Sequence, residues 1–125
     1  MNAALPHVLV AEDNPLVCDA MRVLFGETGH RVSTAGHVAE IVDIAESDPV
    51  DLLLLDLGLA DGDGFDVLDQ LRALKVPPRV TVALTGRDEP DIVARCLAAG
   101  CEAVLLKPVP ARELLDRAGS WLATD

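Results

Sequence analysis

Five short runs of β-forming residues alternate with five stretches whose apolar residues recur at helical spacing, and this alternation constrains the fold more than any other feature. It is typical of a parallel sheet whose strands are joined by crossover helices. The predicted strands are residues 7–11, 31–35, 52–55, 80–84 and 103–106. We therefore predict an α/β fold: a single doubly wound, five-stranded parallel sheet with helices on both faces.

Each stretch between the strands carries an apolar stripe that predicts a helix. In the first stretch, Asn14 and Pro15 supply a helix cap and a first-turn proline, and Leu16, Ala20, Val23 and Leu24 form one helical face. The other stripes are Val38, Ile41, Val42 and Ala45; Val67, Leu68, Leu71 and Leu74; Ile92, Val93, Cys96 and Leu97; and Leu114, Leu115, Ala118, Trp121 and Leu122. The four leucines of 52–55 are apolar on both faces, which predicts a central strand, whereas the half-polar run 31–35 suits a sheet edge.

The length and charge of the chain exclude several classes of protein. A chain of 125 residues is about one domain, so we expect residues 1–125 to form a single domain with no effector domain in this chain. The formal net charge of −11 disfavours direct binding to nucleic acid or to a membrane surface. The N-terminal residues show no secretory signal, and the three cysteines show no metal-binding spacing, so we expect a cytoplasmic protein with reduced, buried thiols.

Acidic residues collect where the predicted strands end. Ligands of an open parallel sheet bind outside the carboxyl ends of its strands, so the residues that follow each strand are the candidates for a site. Glu12 and Asp13 follow the first strand, and Asp56 follows the third. Carboxylates that converge on one crevice repel each other, and a hard divalent cation with oxygen ligands relieves that repulsion. Mg²⁺ fits this donor set best, because it accepts one or two carboxylates together with waters and a phosphoryl oxygen.

Thr85 and Lys107 follow the fourth and fifth strands and add a hydroxyl and a positive charge to the same rim. Together they suit an anion that arrives at the metal, most simply a phosphoryl group. A carboxylate is a competent nucleophile toward an activated phosphoryl donor, so Asp56 can be the covalent acceptor.

The sequence around these residues resembles the response-regulator receiver domains of two-component signalling, the CheY-like family. The likeness extends from about Val8 to Leu122 and rests on four motifs in order: VLVAEDNP, LLLLDLGLADGDGFDVL, ALTGR and GCEAVLLKPV. It implies a flavodoxin-like fold with strand order 2-1-3-4-5.

The same resemblance implies roles for individual residues. Asp56 would be the phosphorylation site. Asp13 would bind Mg²⁺ directly and Glu12 mostly through water, with the backbone carbonyl of Gly58 as a further ligand. Thr85 and Lys107 would each contact a phosphoryl oxygen, and the Lys107–Pro108 peptide bond would be cis.

The chain departs from the family pattern at two positions. Val104 stands where the family commonly has Tyr or Phe, three residues before the lysine, and a valine cannot swing a large ring between buried and exposed positions. Ala60 replaces a proline that usually stiffens the loop after the phosphorylated aspartate. We expect a looser loop there, with the chemistry retained.

The resemblance implies a signalling switch and not a turnover enzyme. A histidine kinase or a histidine phosphotransfer protein would phosphorylate Asp56, and the face of helix 4, strand 5 and helix 5 would then change and reach a downstream effector protein or domain. A homodimer is possible through the same face. Val104 leaves open a module that acts by binding alone, without phosphorylation. The chain could also be a receiver segment of a hybrid histidine kinase or a multidomain regulator.

Overall fold

The computed structural model describes residues 5–59, 64–87 and 89–123. Strands and helices alternate along the whole of this region. The order is β1 His7–Ala11, α1 Pro15–Gly26, β2 Arg31–Ala35, α2 Val38–Ser47, β3 Leu52–Asp56, α3 Gly64–Arg72, β4 Val80–Thr85, α4 Pro90–Ala98, β5 Ala103–Leu106 and α5 Ala111–Leu122.

The five strands form one parallel sheet in the order β2-β1-β3-β4-β5, as predicted. β3 is central, and its leucines 52–55 are fully buried. β2 forms one edge, which agrees with its half-polar sequence. The chain moves from β1 outward to β2 and then returns to β3 on the other side of β1, so the carboxyl ends of β1 and β3 flank a crevice.

Two apolar cores lie on opposite faces of the sheet. One is built with side chains from α2, α3 and α4, such as Ile41, Leu68 and Cys96. The other is built with α1 and α5, including Phe25 and Leu114. Because side chains alternate along a strand, β3 supplies Leu53 and Leu55 to the first core and Leu52 and Leu54 to the second. Both faces of the sheet are thus covered, as the apolar run predicted.

The predicted face of α1 is wrong in three of its four residues. Leu16 is 78% exposed and Val23 59% exposed, and Ala20 is also exposed. α1 instead buries Cys18 and Phe25, and Met21 and Leu24 pack with Phe25 in the second core. The buried stripe 18-21-25 also has helical spacing, and Phe25 favours it because an aromatic ring buries more apolar area than a valine or an alanine.

Smaller differences occur at the ends of elements. β3 and β4 each run one residue beyond the predicted strand, to Asp56 and Thr85. α3 ends at Arg72, so Leu74 lies beyond that helix, half-buried against the first core. The predicted cap of α1 is confirmed, since the side chain of Asn14 accepts a hydrogen bond from the amide of Leu16 at 2.9 Å, with Pro15 in the first turn.

Cys18, Cys96 and Cys101 are free and buried, as predicted. No helix among the described residues has the length and apolar character that a membrane span requires.

Candidate functional site

The register of the sheet brings the predicted site residues to one edge. Ala11 lies beside Leu55 in the β1–β3 pairing, so the residues that follow them, Glu12 and Asp56, emerge side by side. Hydrogen bonding continues past the strand ends, from the amide of Leu57 to the carbonyl of Leu84 at 3.0 Å and from the amide of Lys107 to the carbonyl of Thr85 at 2.8 Å. The carboxyl ends of β1, β3, β4 and β5 therefore meet at one crevice.

Three carboxylates converge in that crevice. Glu12, Asp13 and Asp56 each offer one oxygen, and these oxygens all lie within 4.8 Å of one another. Glu12 and Asp56 are only 5% and 4% exposed, whereas Asp13 is exposed. The predicted acidic cluster is thus assembled, with one member open to solvent.

Lys107 supplies the opposing charge. Its Nζ lies 3.0 Å from Oδ2 of Asp56 and 4.0 Å from Oε1 of Glu12. The Lys107–Pro108 peptide bond is cis, in agreement with the expectation from the family resemblance. The lysine therefore sits between two buried acids and partly neutralises them.

Burial raises the pKa of Glu12 above its ordinary value. The hydrogen bond from the amide of Asn14 to Oε2, at 3.1 Å, lowers the pKa, and the nearby Asp56 raises it again. The net rise records the cost of placing two carboxylates together out of water. A cation in the crevice would offset part of that cost.

The loops after β3 and β4 complete the rim. The amide of Gly58 donates a hydrogen bond to Oδ1 of Asp56 at 2.9 Å, which orients the carboxylate. Thr85 is 6% exposed, and its Oγ1 accepts a hydrogen bond from the amide of Arg87 at 3.1 Å. A hydroxyl and oriented carboxylate oxygens thus face the same opening.

A cavity of about 420 Å³ opens at this point. Its wall combines the polar site residues with apolar side chains from α3, α4 and the loop after β3: Asp56, Leu57, Gly58, Phe65, Thr85, Gly86, Arg87, Ile92 and Lys107. The guanidinium of Arg95 lies 3.8 Å from the centre of the Phe65 ring, so α4 is joined to the start of α3 beside the cavity. The volume is suitable for a small anionic group.

Gly36 is a residue of this site that sequence reasoning missed. A Cβ on Gly36 would lie 3.3 Å from Cα of Asp13 and 3.4 Å from the carbonyl oxygen of Glu12. The absence of a side chain thus lets the loop after β2 approach the acidic pair. Gly36 is distant from that pair in the chain, so no local spacing could have identified it.

The described residues include only one of the two departures from the family pattern. Val104 is half-buried and packs against the first core. Ala60 lies outside the described residues.

The fold and its acidic crevice define an open α/β domain with a site at the topological switch point. A family model described as the response regulator receiver domain matches residues 8–119, and the chain belongs to that family. It is a receiver domain of two-component response regulators, a class of signalling module.

Curated relatives are transcriptional regulators. The chain is 36% identical over 125 residues to AruR of Pseudomonas aeruginosa, an alignment that covers 93% of this chain and 49% of that protein. It is 34% identical over 110 residues to KdpE of Mycobacterium tuberculosis, covering 88% and 48% respectively. The chain spans about half the length of the curated relatives it matches.

Solved structures share the fold. The receiver domain of a sensor histidine kinase from Pseudomonas aeruginosa, with a magnesium ion coordinated in its active site cleft, has a TM-score of 0.85 and 27% identity, and the match covers 98% of this chain and 100% of that one. A CheY-like receiver domain from Methanospirillum hungatei has a TM-score of 0.86 and 25% identity, covering 94% of each chain.

Proposed function

We propose that this domain accepts a phosphoryl group on Asp56 from a phosphohistidine of a partner protein, in a reaction that requires Mg²⁺. The observation that carries the proposal is the cluster of Glu12, Asp13 and Asp56 with Lys107 against Asp56. Such a cluster does not stabilise the fold by itself, because it places like charges together in a partly buried crevice.

The donor set fits a hard cation. Three carboxylate oxygens lie within 4.8 Å of one another, and the acids outnumber the one lysine beside them. Glu12, Asp13, Asp56 and the backbone carbonyl of Gly58 are the residues that would hold Mg²⁺. When bound, Mg²⁺ supplies positive charge that offsets the repulsion between the acids and an incoming phosphoryl group.

Contacts at both of its carboxylate oxygens orient Asp56 for attack. The amide of Gly58 holds Oδ1, and Lys107 lies at Oδ2. In the transfer, one oxygen of Asp56 forms a bond to phosphorus as the donor's phosphorus–nitrogen bond breaks and its electron pair returns to the imidazole. Lys107 then moves from the carboxylate to a phosphoryl oxygen, which keeps its charge paired.

Thr85 connects this chemistry to the rest of the domain. Its hydroxyl accepts a hydrogen bond from the amide of Arg87, and a hydroxyl can also donate a hydrogen bond to a phosphoryl oxygen. Movement of Thr85 toward the phosphoryl group would draw in the loop that leads to α4. The result is a shift in the population of conformations of the α4, β5 and α5 face.

The proposed partners follow from this role. The donor is a histidine kinase or a histidine phosphotransfer protein, and the output passes to an effector protein or domain, with a homodimer through the α4 to α5 face as one possible route. We propose that residues 1–125 form a single receiver domain that works in the cytoplasm. The charge of −11 argues against direct contact with nucleic acid or a membrane surface.

Intact-mass measurement with a small phosphodonor tests the assignment. Wild-type protein incubated with Mg²⁺ and acetyl phosphate should gain the mass of one phosphoryl group, and Asp56→Asn should not. Removal of Mg²⁺ with a chelator should abolish the gain in the wild type.

Asp66→Asn is the matched control, because Asp66 is an exposed aspartate in the first turn of α3. It should be phosphorylated to the wild-type extent. Equal gains of mass in the wild type and in Asp56→Asn would refute the assignment of the acceptor.

A further inference from the structure

The C-terminal end of α4 is closed by a Schellman motif whose apolar contact is made by two cysteines. The amide of Cys101 donates to the carbonyl of Cys96 at 3.0 Å, and the amide of Gly100 donates to the carbonyl of Leu97 at 3.1 Å. Gly100 has a φ of +100°, the left-handed conformation that this motif requires. A side-chain contact between the first and last residues of the motif normally completes it.

Both positions of that contact carry a thiol in this chain. Both side chains are buried in the first core, with the residues 0% and 6% exposed. A disulfide needs Cα atoms roughly 4.4–6.8 Å apart, and the direct backbone hydrogen bond between the same two residues is compatible with that range. The backbone at this helix end therefore brings two thiol-bearing residues together inside the first core.

We propose that Cys96 and Cys101 form a reversible intrachain disulfide, and that the pair is a redox modification site at the junction of α4 and β5. The third cysteine, Cys18, lies on α1, and its Sγ donates a hydrogen bond to the carbonyl of Glu12 at 3.3 Å, so it takes no part. The oxidant is a low-molecular-weight disulfide. The proposal concerns the thiols alone and holds whether or not Asp56 is phosphorylated.

The disulfide forms by two steps of thiol–disulfide exchange. The thiolate of Cys101, the more exposed of the two, attacks the small disulfide, which forms a mixed disulfide and releases one small thiol. Cys96 then loses its proton and attacks the sulfur of Cys101, which forms the internal bond and releases the second small thiol. Two protein thiols are oxidised and one small disulfide is reduced to two thiols.

Because both thiols are buried, the disulfide is best measured at equilibrium and not by its rate of formation. Burial raises the pKa of both thiols, that of Cys101 to about 12. Since the thiolate is the attacking species, exchange near neutral pH is slow, and it speeds up as pH rises. An equilibrium measurement avoids this kinetic effect, because it depends only on how well the fold positions the two sulfur atoms.

The full chain is equilibrated with mixtures of oxidised and reduced glutathione, starting in one sample from the reduced protein and in another from the oxidised protein. The measurement is made on the folded chain and repeated on the chain unfolded in urea. Remaining thiols are alkylated under denaturing conditions and the chain is digested with trypsin. Cleavage after Arg95 and Arg112, with Lys107 protected by Pro108, leaves both cysteines in one peptide. The disulfide then appears as loss of two hydrogens from that peptide and loss of its two alkylation sites.

At a fixed concentration of reduced glutathione, the folded chain should reach half-oxidation at a ratio of oxidised to reduced glutathione roughly tenfold or more below that of the unfolded chain. Cys18→Ala should behave as the wild type does. The proposal is overturned by half-oxidation at an equal or higher ratio in the folded chain, or by glutathione adducts on the peptide in place of the internal bond.

Discussion

Lys107 is the positively charged residue that lies against both Glu12 and Asp56 and offsets part of their repulsion. Its Nζ is within 4.0 Å of an oxygen of each acid, and both acids are almost fully buried. Removal of a single partner from such a group leaves a buried charge uncompensated, which is strongly unfavourable. The lysine therefore has a structural function in addition to its proposed contact with the phosphoryl group.

Asp13 differs from the other two acids because it is exposed. Binding a cation removes little water from an exposed carboxylate, so the charge of Asp13 should contribute directly to the affinity for Mg²⁺. Asp13→Asn should weaken Mg²⁺ binding by roughly tenfold or more, as measured by isothermal titration calorimetry.

The control for this substitution is Asp116→Asn, an exposed aspartate on α5 that removes the same charge away from the crevice. Its affinity should stay close to that of the wild type. A matching loss in both variants would mean that only the overall charge of the domain attracts the ion.

Asp48 provides a test of pH dependence at the opposite end of the sheet. Hydrogen bonds from Arg31, at 2.7 and 3.2 Å, hold the pKa of this carboxyl below its ordinary 3.8. The folded state therefore favours the ionised form, so the pair stabilises the protein above pH 3.8 and loses that effect as pH falls through the lowered pKa.

Asp48→Asn should lower the free energy of unfolding at pH 7 by no more than about 0.5 kcal/mol, because the aspartate is about two-fifths exposed and solvent screens the pair. The difference from wild type should shrink below pH 3.8. Urea denaturation across the acid range checks this. A constant difference at every pH would show that the effect does not come from the charge.

At the scale of single elements, α1 gives the sharpest test of the packing. Phe25 is 0% exposed, whereas Leu16 is 78% exposed on the same helix. Phe25→Ala should cost about 3–5 kcal/mol of stability, because it removes a ring from the core of α1 and α5. Leu16→Ala should change stability by no more than about 0.5 kcal/mol. The single tryptophan, Trp121, packs against the same core and can report both unfolding transitions.

The same helix shows where sequence reasoning fails. Both 16-20-23 and 18-21-25 fit a helical period, so spacing alone could not choose between the two faces of α1. Burial of a cysteine and a phenylalanine decided the choice in the folded protein, and that depends on what α5 and the sheet offer as partners. β3 had no such ambiguity, because leucines 52–55 are apolar on both faces.

The residues of the candidate site could be predicted from the sequence more completely than the buried face of α1. The acids, Thr85 and Lys107 could be found from sequence because each directly follows or ends a strand, and parallel strands bring their carboxyl ends to one edge. Gly36 could not be found, since its role is to leave space beside Asp13, and only the folded backbone shows that space. Likewise, no spacing rule indicates that Arg95 stacks on Phe65.

At the scale of the whole molecule, binding of Mg²⁺ should be linked to stability. An ion that binds only the folded state stabilises it by an amount set by its concentration and affinity. At about one hundred times its dissociation constant, Mg²⁺ should raise the free energy of unfolding by about 2.7 kcal/mol. Urea denaturation with Mg²⁺, compared with Na⁺ at equal ionic strength, measures the gain.

Asp56→Asn should show a smaller gain, because it lacks one of the carboxylates of the cluster. An equal gain with Na⁺ would indicate general screening of the charge of −11 and would contradict a specific site.

The division of the interior by the sheet has a consequence for how this protein can change over generations. Side chains such as Ile41 and Phe25 belong to separate apolar layers with the strands between them. Substitutions far apart, with no shared neighbours, combine almost additively, whereas neighbours in one layer depend on each other. Each layer can therefore accumulate compensating replacements by itself. Over generations, substitutions in the core of α1 and α5 can alter the thermal stability of the protein without requiring changes in the packing around α4.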